Sequence, residues 1–76
     1  MKKNKPKYYR SPNSMEAVEI DYDLLHHDYY SKEGMTRRLL GSYTDRIEAG
    51  LLRKEYKKIN KVQFEKFLEK LTHDND

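Results

Sequence analysis

The chain has no cysteine, no tryptophan, three glycines and two prolines in 76 residues. Without cysteine there is no disulfide framework and no thiolate zinc site, the usual staples of chains this short. Apolar runs stay far below the roughly 18 residues of a membrane span, and the lysine-rich start lacks the apolar h-region of a secretory signal. These absences point to a cytoplasmic protein with no membrane association. Strong core formers are scarce too: valine, isoleucine, leucine and phenylalanine make up only about a fifth of the chain. A single domain of this size buries only about 60% of its unfolded surface, so a homodimer or another partner is the expected source of further support. Seven tyrosines compensate in part, since each brings a large apolar ring with a polar tip.

Charge is abundant and unevenly placed. Residues 1–10 carry Lys2, Lys3, Lys5, Lys7 and Arg10 with no acid, and residues 11–34 carry six acids against Lys32 alone. Residues 35–72 carry ten bases against five acids, and Asp74 and Asp76 close the chain. The formal net charge of +3 therefore hides two basic blocks around an acidic one. Residues 1–13, with Pro6 and Pro12 and no apolar period, read as a disordered basic arm ahead of one small domain over 14–72, and 73–76 as a disordered tail. Lysines interleaved with Tyr8 and Tyr9 suit phosphates and stacked bases, or equally a solubilising tail that folds back on the acidic block.

The main periodic signal is a stripe of Met35, Leu39, Tyr43, Ile47 and Leu51, spaced as on one helix face. It predicts a helix from about 32 or 35 to 49, with Gly50 as its C-terminal stop. Gly41-Ser42 would divide it into two short helices, 33–40 and 43–49, in a helix-turn-helix arrangement. Upstream, residues 14–30 fit two periods. Val18, Ile20, Tyr22 and Leu24 alternate with acids as in a strand, whereas Met15, Val18, Tyr22, Leu25 and Tyr29 have helical spacing. The reading preferred is a short extended piece near 17–21, then a helix begun by Asp21 or Asp23. Residues 51–59 could continue as helix or form a basic hairpin or connector. Asn60 with Gln63 three residues on has the spacing of a capping box, and Val62, Phe64, Phe67, Leu68 and Leu71 supply the apolar face of a helix over 61–72. The expected fold is thus mainly α, a three- to four-helix domain with a possible short strand or hairpin.

Leu39-Leu40-Gly41, Ala49-Gly50-Leu51-Leu52 and Tyr56-Lys57-Lys58-Ile59-Asn60-Lys61, leading into Gln63-Phe64-Glu65-Lys66-Phe67-Leu68, resemble the small excisionases and MerR-like winged-helix proteins of mobile elements. The resemblance implies a helix-turn-helix with residues 43–49 as recognition helix and 53–58 as a basic wing, in proteins that bend or mark DNA.

The residues themselves point to DNA through Arg37, Arg38, Arg46, Arg53, Lys54, Lys57 and Lys58, with Ser42 and Thr44 as further phosphate contacts, since arginine forks suit phosphates and guanine edges. Set against this is an ordinary solvated face laced by pairs such as Glu33 with Arg37. The expected function is a small DNA-binding regulator or recombination accessory of a phage or mobile element. The alternative is a protein-binding modulator, such as a phage-type inhibitor of a host protein, in which Tyr22, Asp23, Tyr29 and Tyr30 within the acidic stretch 19–30 meet the partner, a pattern that could mimic nucleic acid. Asp23 and His27 would share a helix face at a spacing metals use, but with one imidazole per face no metal site is expected. No nucleophile triad, phosphate loop or isolated carboxylate pair is present, so neither an enzyme nor a cofactor is expected.

Overall fold

The computed structural model describes residues 5–13, 15–40 and 44–73. Its centre is an antiparallel sheet of β1 (Lys7–Arg10), β2 (Ala17–Asp21), β3 (His26–Ser31), β4 (Gly34–Leu39) and β5 (Lys57–Ile59), in the order β4-β3-β2-β1-β5. Between β4 and β5 the chain forms α1 (Thr44–Arg53), and after β5 it forms α2 (Lys61–His73). The mainly α expectation is therefore overturned, and so is the helix-turn-helix: the first of its helices, 33–40, is strand β4 instead. Gly41, Ser42 and Tyr43 lie outside the described residues.

Each helix covers one face of the sheet. Successive strand residues point to opposite faces, and the register places Tyr8, Ala17 and Tyr30 on one side and Tyr9, Val18 and Tyr29 on the other. On the first face Phe64, Phe67 and Leu71 of α2 pack against Tyr8 and Ala17. On the second, Leu51 and Ile47 of α1 pack with Tyr9, Val18 and Ile20. Fully burying a valine, isoleucine, leucine or phenylalanine of these clusters contributes about 1.5–3 kcal/mol.

Two cores, one per face, explain β1. The basic arm was expected to be disordered through residue 13, but Lys7–Arg10 pairs with both β2 and β5. Tyr8 and Tyr9 are consecutive and therefore face opposite ways, and each finds a helix. The Tyr8 ring lies 4.7 Å from Phe64, and the Tyr9 hydroxyl donates to Glu48 of α1.

The extended piece expected near 17–21 is β2. The helix expected to start at Asp21 or Asp23 does not form. Asp21 Oδ1 accepts the backbone N–H groups of Asp23 and Leu24 at 3.0 and 2.9 Å, which favours a turn. Leu25, at φ 57°, then reverses the chain into β3. A second reversal over Lys32-Glu33 is held by Glu33 N–H on Ser31 Oγ at 3.2 Å, with Gly34 at φ +127°.

Gly50 does not stop α1, which continues to Arg53. The stop comes at Glu55, in the left-handed region at φ 66°. Glu55 N–H donates to the Leu52 carbonyl at 3.0 Å and Tyr56 N–H to the Leu51 carbonyl at 2.9 Å, the bond pair of a Schellman cap. The proposed wing, 53–58, is split between this cap and β5. Helix α2 begins as expected: Gln63 N–H donates to Asn60 Oδ1 at 2.8 Å and Asn60 N–H to Gln63 Oε1 at 3.0 Å, a reciprocal capping box.

Candidate nucleic-acid interface

The three charge blocks of the sequence become three regions of the sheet. Acids concentrate on the β2–β3 hairpin, where Glu19, Asp21 and Asp28 share a face, and bases gather along β1, β5 and the start of α2. Arg37 and Arg38 sit on β4, at the far edge from Lys57 and Lys58 on β5. Four strand spacings of about 4.8 Å separate these edges by roughly 19 Å, so the arginines of β4 and the lysines of β5 do not form one basic patch.

The arginines of β4 also have partners within the chain. Arg37 donates from Nε and Nη2 to the two oxygens of Asp28 at 2.9 and 3.1 Å, and Asp28 is 2% exposed. Arg38 faces the other way, its guanidinium 5.8 Å from the centre of the Tyr29 ring. Thr44 and Arg46 lie in the first turns of α1, Arg53 ends it, and Lys54 follows in the cap. Ser42 falls outside the described residues.

The β5 edge presents its bases differently. Lys5, Lys7, Lys58 and Lys61 line one open groove of ≈ 680 Å³, together with Pro6, Tyr8, Ile59 and Asn60 and with no acid among the described residues. Lys7 is committed, its ammonium 3.2 Å from Glu48 and 5.4 Å from the Tyr22 ring centre. Lys5, Lys58 and Lys61 are exposed and make no salt bridge with any described residue. Lys57 and Lys54 extend the basic band along the same edge, also exposed, and Arg10 opposite Lys57 rests its guanidinium 5.0 Å from the Phe67 ring centre. Lys57, Lys58 and Lys54 belong to the set expected from sequence. Lys61 was not singled out, because the first position after a cap looks like a helix-forming choice alone. Lys5 carried a signal in the basic arm, but the strand that carries it to β5 was not foreseen.

The tyrosines expected to meet a protein partner also contribute to the two cores, and each stays half-buried. Tyr22 donates to Glu48, Tyr29 packs with the α1 cluster, and Tyr30 meets Phe64 edge-on at 5.4 Å. Asp23 is exposed in the β2–β3 turn. The carboxylate of Glu48 thus gathers Tyr9, Tyr22 and Lys7. Burial pushes its pKa up, but those hydrogen bonds outweigh burial and hold it below the ordinary value.

His26 and His27 are buried on opposite faces of β3, so they cannot converge on one ion, and Asp23 and His27 share no helix. His26 Nδ1 lies 3.3 Å from Asp28 Oδ1 without the alignment of a hydrogen bond. The His27 ring meets Tyr29 at 5.0 Å. Among the described residues no group of three or more His, Cys, Asp or Glu side chains is placed to hold a metal. Nor is any described helix long and apolar enough to cross a membrane.

Compared with known protein families, curated proteins and solved structures, the chain matches none.

Proposed function

We propose that the protein is a small DNA-binding accessory module that grips the phosphate backbone along the β5 edge. The observation that carries this reading is the groove in which Lys5, Lys58 and Lys61 make no salt bridge with any described residue and stand beside Lys7 with no acid among the described lining residues. Lysine is a strongly hydrated point charge suited to phosphates rather than to base edges, so the binding is weakly dependent on sequence. The acidic β2–β3 side repels a polyanion and orients the molecule on it. No helix-turn-helix enters this reading, and Arg37 is occupied by Asp28.

The test is a fluorescence titration of duplex DNA at several salt concentrations. Three neutralised phosphates give a slope of log affinity against log salt of about −2.7, and each lysine removed flattens it by about 0.9. Lys58→Ala with Lys61→Ala should weaken binding and flatten the slope, while Arg37→Ala leaves the slope unchanged. Absence of binding at about 50 mM salt, where phosphate contacts are strongest, sinks the proposal.

A further inference from the structure

Strand β4 is a six-residue sheet edge whose two charges are drawn inward, Arg37 to the Asp28 carboxylate and Arg38 over the Tyr29 ring. Every residue from Gly34 to Leu39 is exposed, with Leu39 at 83% and Met35 at 49%. Natural edges are normally shortened, charged or covered, because their free backbone groups recruit another strand. The opposite edge shows that protection: β5 has three residues, two of them lysine.

The register fixes which backbone groups of β4 look outward. Leu40 N–H donates to the Leu25 carbonyl at 2.8 Å, extending the β3–β4 ladder by one pair. In an antiparallel ladder hydrogen-bonded pairs alternate, so the even-numbered residues of β4 bond inward to β3. The N–H and C=O groups of Met35, Arg37 and Leu39 then point away from the sheet. These three side chains also share one face.

We propose that β4 pairs antiparallel with β4 of a second copy, about a two-fold axis at Arg37. A two-fold perpendicular to the sheet keeps the same faces together, which restricts the register to odd residues opposite odd and even opposite even. Centring on Arg37 places Met35 opposite Leu39 of the second copy, and Leu39 opposite its Met35. The three outward-looking residues of each strand then bond to those of the other, and the two exposed apolar side chains of each copy cover one another. The two arginines that meet at the axis are each held to a buried Asp28, giving a neutral row rather than a bare repulsion.

Charge also decides against the other pairing open to this edge. Setting β4 against β5 of a second copy would bring Arg38, which has no carboxylate partner among the described residues, beside Lys57 and Lys58 instead of Thr36, and would propagate into a filament. The isologous β4 pair closes at two copies and leaves both basic β5 edges at the outer ends of a ten-stranded sheet. The inference is independent of the DNA-binding reading, because it uses the opposite edge.

Sedimentation velocity at about 100 μM, above the micromolar range of weak interfaces, should give twice the chain mass of 9.2 kDa. Met35→Lys with Leu39→Lys should return the monomer mass with unchanged far-ultraviolet circular dichroism, whereas Leu52→Lys, on the exposed side of α1, keeps the dimer. The register has its own test, free of interference because the chain lacks cysteine. Thr36 and Arg38 of the second copy face each other as a non-hydrogen-bonded pair about 4.5 Å apart at Cα, within disulfide reach. Oxidising Thr36→Cys mixed with Arg38→Cys should give a cross-linked dimer that neither variant gives alone. A monomeric wild type, a dimer that survives the two lysines, or a mixture that does not cross-link overturns the proposal.

Discussion

Arg37 and Asp28 face each other across β3 and β4, and the guanidinium fork meets both oxygens of a carboxylate that is almost wholly buried. The pair is asymmetric, since Arg37 reaches from solvent while Asp28 cannot reach water. Removing the arginine therefore strands a buried charge between Glu19 and His26. Arg37→Ala should lower Tm clearly more than Arg38→Ala at equal protein concentration, with Arg37→Lys between them because an ammonium cannot reproduce the two-bond geometry. Equal melting curves for the two alanine variants would show that Asp28 finds other compensation.

Glu55 occupies a position that glycine fills better. Its φ of 66° costs an ordinary residue about 1 kcal/mol or more, and the two cap bonds that require it are backbone bonds that glycine keeps. Glycine loses some of that gain through the freedom it adds to the unfolded chain. Glu55→Gly should therefore stabilise by about 0.5 kcal/mol, seen as a Tm rise of roughly 3 °C in a thermal melt. Glu55→Ala should bring no such rise, and a glycine variant that melts at or below the wild type would refute the cap argument.

The contrast between α2 and β4 shows how far this fold could be read in advance. The capping box, the β2 strand and the apolar face of α2 are local signals, and all three appear in the structure, except that Val62 of that face is exposed. Strand β4 gave no local signal because neither of its faces is buried, so no alternation marks it. Met35 and Leu39 fell by coincidence into helical phase with Ile47 and Leu51, which do lie on a helix, and the stripe joined two unlike elements. In β1 the cause is the reverse: both faces are covered, so adjacent tyrosines replace the alternating pattern. The basic groove was hidden for the same reason, since Lys5 and Lys61 meet only through the β1–β5 pairing.

Asn60 and Gln63 exchange hydrogen bonds, so each single substitution breaks the shared arrangement. Asn60→Ala should cost about 1 kcal/mol, read as a lower urea midpoint with unchanged slope. Adding Gln63→Ala should cost less than its effect alone, because the Asn60 N–H no longer depends on an intact box. Strict additivity would mean that the two bonds act separately.

His27 is held below its ordinary pKa, first by burial and then by Arg38. A histidine lowered from 6.5 favours the neutral form in the fold. Its contribution to stability is present above pH 6.5 and is lost as pH falls through the lowered value. Denaturant midpoints should decline across that acid range, and His27→Phe should make the decline shallower. An unchanged pH profile in His27→Phe would place the acid sensitivity elsewhere.

At the alkaline end the sign reverses. Tyr9 and Tyr56 are both pushed up from 10.0 to about 12, first by burial and then by their hydrogen bonds to Glu48 and Glu16. Raised pKa values favour the protonated phenols in the fold, so their contribution is complete below pH 10 and is lost as pH climbs towards 12. Ionisation would leave a phenolate facing a carboxylate at each site, one of which joins β1 to α1 and the other the β1–β2 turn to the α1 cap. Tyrosinate absorbance should show a late ionisation near pH 12 from Tyr9 and Tyr56, together with the loss of circular dichroism. Tyr9→Phe should be less stable at neutral pH yet lose less between pH 10 and 12, since it has one fewer bond to break. If the late ionisation near pH 12 occurs while the fold persists, the link between the Tyr9 and Tyr56 hydroxyls and alkaline stability is broken.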